Sequence, residues 1–169
     1  MSCICIIDTS VFLNLLNVPN RNQDKDQIAE DFRTYIKNDA TFILPMATII
    51  ETGNHIAQNG DGGTRRKTAE RFCHAVIGAF NGNAPYKPSD FPNKAEILTW
   101  IDRFPNLAGQ NKTPQKTTEG TSFGDLSIIE EFNKAVELTH RMTEVFIWSL
   151  DSDLMQYHYS PNTVHKSTF

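Results

Sequence analysis

The run Cys3-Ile4-Cys5-Ile6-Ile7-Asp8-Thr9-Ser10-Val11-Phe12-Leu13 decides how the rest of the chain is read. Five uninterrupted apolar residues are too few for a helix and end abruptly at a carboxylate. That is the pattern of a strand buried on both faces, as in a parallel sheet. Asp8-Thr9-Ser10 then opens a helix over residues 11–16, with Thr9 or Ser10 as its N-cap and Pro19 beyond its end.

Working outward, the same alternation repeats. Ile28, Phe32 and Tyr35 or Ile36 fall at helical spacing over residues 27–37, and residues 41–45 form a second short apolar strand. A helix over 47–58 stops at Asn59-Gly60-Asp61-Gly62-Gly63, and Thr64 is expected to cap the next. There Ala69, Phe72, Cys73, Val76, Ile77 and Phe80 follow the i, i+3, i+4, i+7 rule and predict a core-facing stripe. Residues 81–93, with Gly82, Pro85, Pro88 and Pro92, predict a loop. A short helix carrying Ile97, Trp100, Ile101 and Phe104 follows, then a second loop over 105–121. A long helix over 123–141 leads to a strand over 145–150, and a short edge strand closes the tail. Strands alternating with helices predict an α/β fold around a mostly parallel sheet; a helical protein with a small sheet is the alternative.

The 169 residues favour one domain, and 39% hydrophobic with 21% charged residues argue against disorder. No apolar run approaches the length of a membrane span, and Ile4–Ile7 lacks the basic flank of a signal peptide. Three cysteines cannot form a fully paired framework. Cys3, Cys5 and Cys73 read as buried reduced thiols, which points to the cytoplasm, where Asn111-Lys112-Thr113 has no meaning as a glycosylation signal. Sixteen basic and 20 acidic residues give a net charge of −4, unlike a generic nucleic-acid binder. Basic residues nevertheless cluster locally: Arg65, Arg66, Lys67 and Arg71 against Glu70, and Lys112 and Lys116 in a stretch free of acids.

Ligands of such sheets sit beyond the carboxyl ends of the strands. Asp8 ends the first strand, and Asp151 and Asp153 end the last. Glu51 follows the second strand by six residues, and Asp125 lies in the first turn of the long helix. Each acid alone also fits a local role: Asp8 and Asp151 as turn or cap residues, Asp125 in a capping interaction with Ser122, Glu51 as a partner of His55. Asp125, however, lies within about 40° of Ile129, Phe132 and Val136 on the helical wheel, on the face that packs inward. A carboxylate there is costly unless paired or cation-bound. Gathered carboxylates without His or Cys favour Mg²⁺ or Mn²⁺, and such a site can hold a phosphodiester and activate water. Setting aside these five acids leaves 15 against 16 basic residues, so the excess acidity is no larger than the site.

The sequence resembles the PIN-domain nucleases. Ile6-Ile7-Asp8-Thr9-Ser10-Val11-Phe12-Leu13 is similar to that family's first strand and turn. Leu44-Pro45 through Ile49-Ile50-Glu51 is similar to its second strand and acidic helix. Thr121-Ser122-Phe123-Gly124-Asp125-Leu126-Ser127-Ile128 is similar to its third acidic position, and Trp148-Ser149-Leu150-Asp151-Ser152-Asp153-Leu154 to its closing strand and fourth acid. The resemblance implies a PIN-like three-layer sandwich of four to five strands over residues 1–169, with a loop-rich insertion around 81–121 that compact toxin members lack. It implies a Mg²⁺- or Mn²⁺-dependent ribonuclease with one or two ions at Asp8, Glu51, Asp125 and Asp151, and Asp153 as accessory or alternative fourth acid. Thr9 and Ser149 match hydroxyl positions that support the acids. A toxin role with an antitoxin partner and a homodimer are implied by kinship alone.

Arg65, Arg66, Lys67, Lys112 and Lys116 are expected to contact the RNA backbone; a solvated helix start is the alternative for the first three. A non-catalytic PIN-like RNA-binding or regulatory module is the main rival. An aspartyl-phosphate protein would need a partner lysine that the later strands do not supply. Gly60-Asp61-Gly62-Gly63-Thr64 lacks the Lys-Ser/Thr ending of a P-loop, and His55, His74, His140, His158 and His165 show no metal spacing.

Overall fold

The central strand β1 (Cys3–Ile7) puts alternate side chains on opposite faces of a sheet, and this alternation sorts the core. The structure, a computed structural model, describes residues 3–139 and 142–161. Cys5 and Ile7 join Phe42, Leu44 and Trp148 beneath Val11, Phe12, Ile28, Ile49 and Ile56. Ile6 joins Val145 and Ile147 on the other face against Ile128, Ile129 and Phe132. Slipping β1 by one residue would exchange the two sets, so both cores fix its register.

Around β1 run α1 (Thr9–Leu15), α2 (Lys25–Lys37), β2 (Thr41–Leu44), α3 (Met46–Ala57), α4 (Gly62–Phe80), β3 (Tyr86–Pro88), α5 (Lys94–Gly109), α6 (Phe123–Leu138), β4 (Glu144–Trp148), α7 (Ser152–Met155) and β5 (His158–Tyr159). The sheet order is β3-β2-β1-β4-β5. The first four strands are parallel, and β5 returns antiparallel along β4. The architecture is the expected PIN-like sandwich of five strands between helical layers.

Several expectations change. Asp8, not Thr9 or Ser10, caps α1, accepting from the Ser10 N–H at 3.2 Å. Asp61, not Thr64, caps α4, accepting from the N–H groups of Gly63 and Thr64 at 2.8 and 3.0 Å. Three residues of the expected loop form β3. Pro88 is tolerated because β3 is the outer strand and pairs with β2 alone, so no ladder needs its missing N–H.

The expected short helix near Trp100 is 16 residues long and carries Pro105 inside it. The carbonyl deprived of its donor belongs to Ile101, which is exposed, so water can take the bond. Asn93 and Glu96 start α5 with a capping box. It is pinned to α6 by Trp100 and Phe104 against Phe123 and by an Arg103–Glu130 ion pair. On α4 only part of the apolar stripe packs: Phe72 and Val76 lie on the core, whereas Cys73, Ile77 and Phe80 face solvent. Cys73 is thus not the buried thiol expected; Cys3 and Cys5 are. The long helix ends at Leu138, and Arg141, His140 and His165 lie outside the described residues.

Candidate functional site at the carboxyl ends of the strands

Asp8 leaves β1 where the strand meets β4, its N–H donating to the Trp148 carbonyl at 3.0 Å. The residue is 3% exposed. Three donors converge on Oδ2: the Ser10 N–H, the Ser10 hydroxyl at 2.6 Å and the Ser149 hydroxyl at 2.8 Å. Burial pushes the Asp8 carboxyl up, and the two serines only partly offset this. Ser10 also accepts from the Leu150 N–H at 3.0 Å, and Ser149 from the Asp151 N–H at 2.9 Å. The turn after β4 is therefore locked onto the turn after β1.

Glu51 reaches the same place from α3. The buried Thr48 hydroxyl donates to the Ile7 carbonyl at 2.8 Å and sets the start of α3 against the end of β1. One turn on, Glu51 Oε2 accepts from the Thr9 hydroxyl at 2.7 Å. Burial raises the Glu51 carboxyl, and the charges of Asp125 and Asp8 raise it further against the Thr9 hydrogen bond. Glu51 and Asp125 come from adjacent helices across Gly124. A methyl group at Gly124 would collide with Glu51 Oε1 and push that carboxylate aside, so glycine leaves the carboxylate its place beside α6.

Asp125 sits in the first turn of α6, capped by Ser122, whose hydroxyl accepts from the Asp125 N–H at 3.0 Å. Its Oδ2 is buried and makes no hydrogen bond, although the Lys112 ammonium lies 2.7 Å away. That contact is an ion pair. Lys112 lies 3.3 Å from Asp153 as well, and Lys116 donates to Asp153 at 2.8 Å and lies 3.7 Å from Asp151. Burial acts to lower the Lys112 ammonium, but Asp125 and Asp153 outweigh it and hold the lysine protonated. Burial likewise opposes ionisation of Asp153, and its lysine partners reverse the sign.

Of the residues singled out from the sequence, Asp8, Thr9, Glu51, Asp125, Ser149 and Asp153 thus meet at one rim. Asp151 is mostly exposed at the N-cap of α7; its N–H holds Ser149, and its carboxylate lies 3.7 Å from Lys116. Lys112 and Lys116, expected on a nucleic-acid backbone, pair with Asp125 and Asp153 in this structure. Arg65, Arg66 and Lys67 do not come to this rim. They open α4, beside Asn59, whose amide donates to the Pro19 carbonyl past the far end of α1. Arg65 donates to the Gly60 carbonyl and Arg66 pairs with Glu70. Ser10 and Gly124 belong to the site and were not assigned to it from the sequence. The Asp-Thr-Ser turn signals Ser10, but nothing local signals the tertiary approach at Gly124.

Among the described residues no group of three or more His, Cys, Asp or Glu side chains is arranged so that it could hold a metal ion in this structure. The chemistry of the donors still fits one hard cation. Asp8, Glu51 and Asp125 offer only oxygens, and the charges of Asp125 and Asp8 act against ionisation of Glu51, although Asp125 Oδ2 already faces the Lys112 ammonium.

No protein-family model and no curated protein matches the chain. Two solved structures share its fold. The crystal structure of FitAcB from Neisseria gonorrhoeae has a TM-score of 0.54 at 16% identity, over 90% of this chain and 91% of that one. FitAB bound to an IR36 DNA fragment has a TM-score of 0.51 at 17% identity, over 90% and 89%. The chain has a PIN-like fold.

Proposed function

We propose that the protein is a metal-dependent ribonuclease working in the cytoplasm, with Mg²⁺ or Mn²⁺ held by Asp8, Glu51 and Asp125. The observation that carries this reading is the convergence at one rim of acids from three separate elements, with Glu51 bonded to Thr9 beside Asp8 and pressed against Gly124 beside Asp125, where a cation would relieve their like charges. Bound there, the ion would supply Lewis-acid polarisation of a phosphodiester and a lowered pKa for attacking water. The side chains do the positioning. Ser10 and Ser149 fix Asp8, Thr9 fixes Glu51, and the start of α6 presents Asp125. A toxin role, an antitoxin partner and a homodimer belong to this reading through the PIN resemblance.

The test is cleavage of RNA by the purified chain with Mg²⁺ or Mn²⁺ and with EDTA. Asp8→Asn keeps a competent helix cap and should cost about 1 kcal/mol or less in stability while abolishing cleavage. Asp125→Asn should behave alike. Induced expression should arrest growth with the native chain and not with Asp125→Asn. Undiminished cleavage in EDTA would sink the reading.

A non-catalytic RNA-binding module is favoured by a single observation: an ammonium group already stands among the acids. The same assay separates the two, since a module would hold RNA uncut and tolerate Asp8→Asn.

A further inference from the structure

We infer that Lys112 and Lys116 are resident cations filling the Asp153 side of the acid rim, so that the chain takes one divalent ion and not two. This deepens the metal-dependent reading and rests on it.

The lysines are delivered by built structure rather than by a loose chain. The Lys112 N–H donates to the Glu119 carbonyl at 2.8 Å, closing the strap that carries both lysines. The Lys116 N–H donates to the Thr113 carbonyl and hydroxyl at 3.1 and 3.0 Å, and the Thr121 N–H to the Leu107 carbonyl at 3.2 Å. At Gly120 the strap presses so close to the Ala108 carbonyl that a methyl group there would collide with backbone. Lys112 ends between Asp125 and Asp153 with 13% of its side chain exposed, and Asp153 takes both ammonium groups with 8% exposed.

The rim therefore has two unlike halves. Asp151 and Asp153 are neutralised from within, whereas among the described residues the hydrogen bonds to Asp8 and Glu51 come from neutral hydroxyl and amide donors. Five carboxylates against two ammonium groups leave three negative charges. One divalent ion reduces these to one; a second would reverse the sign beside a buried ammonium. A cleft of about 160 Å³ bordered by Asn111, Lys112, Asp125 and Asp153 would have room for another ion once the lysine side chains no longer carry charge.

The experiment counts Mn²⁺ per full-length, EDTA-stripped chain by electron paramagnetic resonance of the free ion. The native chain should bind one, and Lys112→Met/Lys116→Met should bind two. Asp153→Asn should keep one ion at nearly native affinity, because Asp153 serves the lysines and is not a ligand. No bound ion in the native chain would overturn the metal-dependent reading, and this assignment with it. Two ions in the native chain, or one in both native and lysine-free chains, would overturn this assignment alone. If the double variant does not fold, Asp153→Asn decides: a loss of affinity of about tenfold or more would make Asp153 a ligand and overturn the assignment.

Discussion

Glu51 shows how one side chain can report on a whole site. Its carboxyl is raised from the ordinary value of 4.5 by burial and by Asp125 and Asp8. A carboxyl raised by folding favours the folded chain while protonated. That contribution is present below 4.5 and is lost as pH climbs through the raised value. Cation binding needs the ionised form and has the opposite trend. Mn²⁺ affinity measured by titration calorimetry should therefore fall on acidification, beginning above the usual carboxylate range. Glu51→Gln should remove that acid limb together with most of the affinity. Gly124→Ala tests the same carboxylate from the other side. The added methyl meets the flexible end of Glu51 rather than backbone, so the melting temperature should hardly move. Metal affinity should drop by roughly tenfold, the scale of disturbed ligand support. Aspartates at strand ends were legible as candidates because strand and helix periods fix where they fall. The lysine partners were not, since 13 residues separate Lys112 from Asp125 and 37 separate Lys116 from Asp153, and no local spacing encodes such pairs.

At the scale of elements, periodicity located the helices and the central strand, while proline hid two elements and one apolar stripe overstated burial. Strand β1 and helices α2, α3 and α6 followed their apolar repeats to within a few residues. β3 was hidden by Pro85 and Pro88, which break interior strands but not an outer one. The last turns of α5 were hidden by Pro105, which an exposed helix tolerates. The periodic stripe of α4 overstated burial because α4 packs through one flank only, leaving Ile77 and Phe80 each 59% exposed. The strap between α5 and α6 carries its own prediction. Gly120→Ala meets the Ala108 carbonyl and should destabilise by about 1–3 kcal/mol, the usual scale of overpacking, read by chemical denaturation. The change acts through the strap, so it should also loosen the grip of Lys112 on Asp125.

For the whole molecule, the acid rim makes stability depend on what is bound. Mn²⁺ at a hundred times its dissociation constant should add about 2.7 kcal/mol. For a chain of this size that is roughly 5–10 °C in melting temperature. The shift should vanish in Asp125→Asn and persist in Asp153→Asn. The outer boundaries of the sheet carry a separate consequence. One side finishes in three residues that include Pro88, and the other in the two residues His158 and Tyr159. Among the described residues neither offers a run of free backbone groups long enough to template an incoming strand. Over the described residues, these margins give two copies of this chain little backbone through which to splice their sheets into one, which leaves side chains on the helical coat as the ground for any union between them.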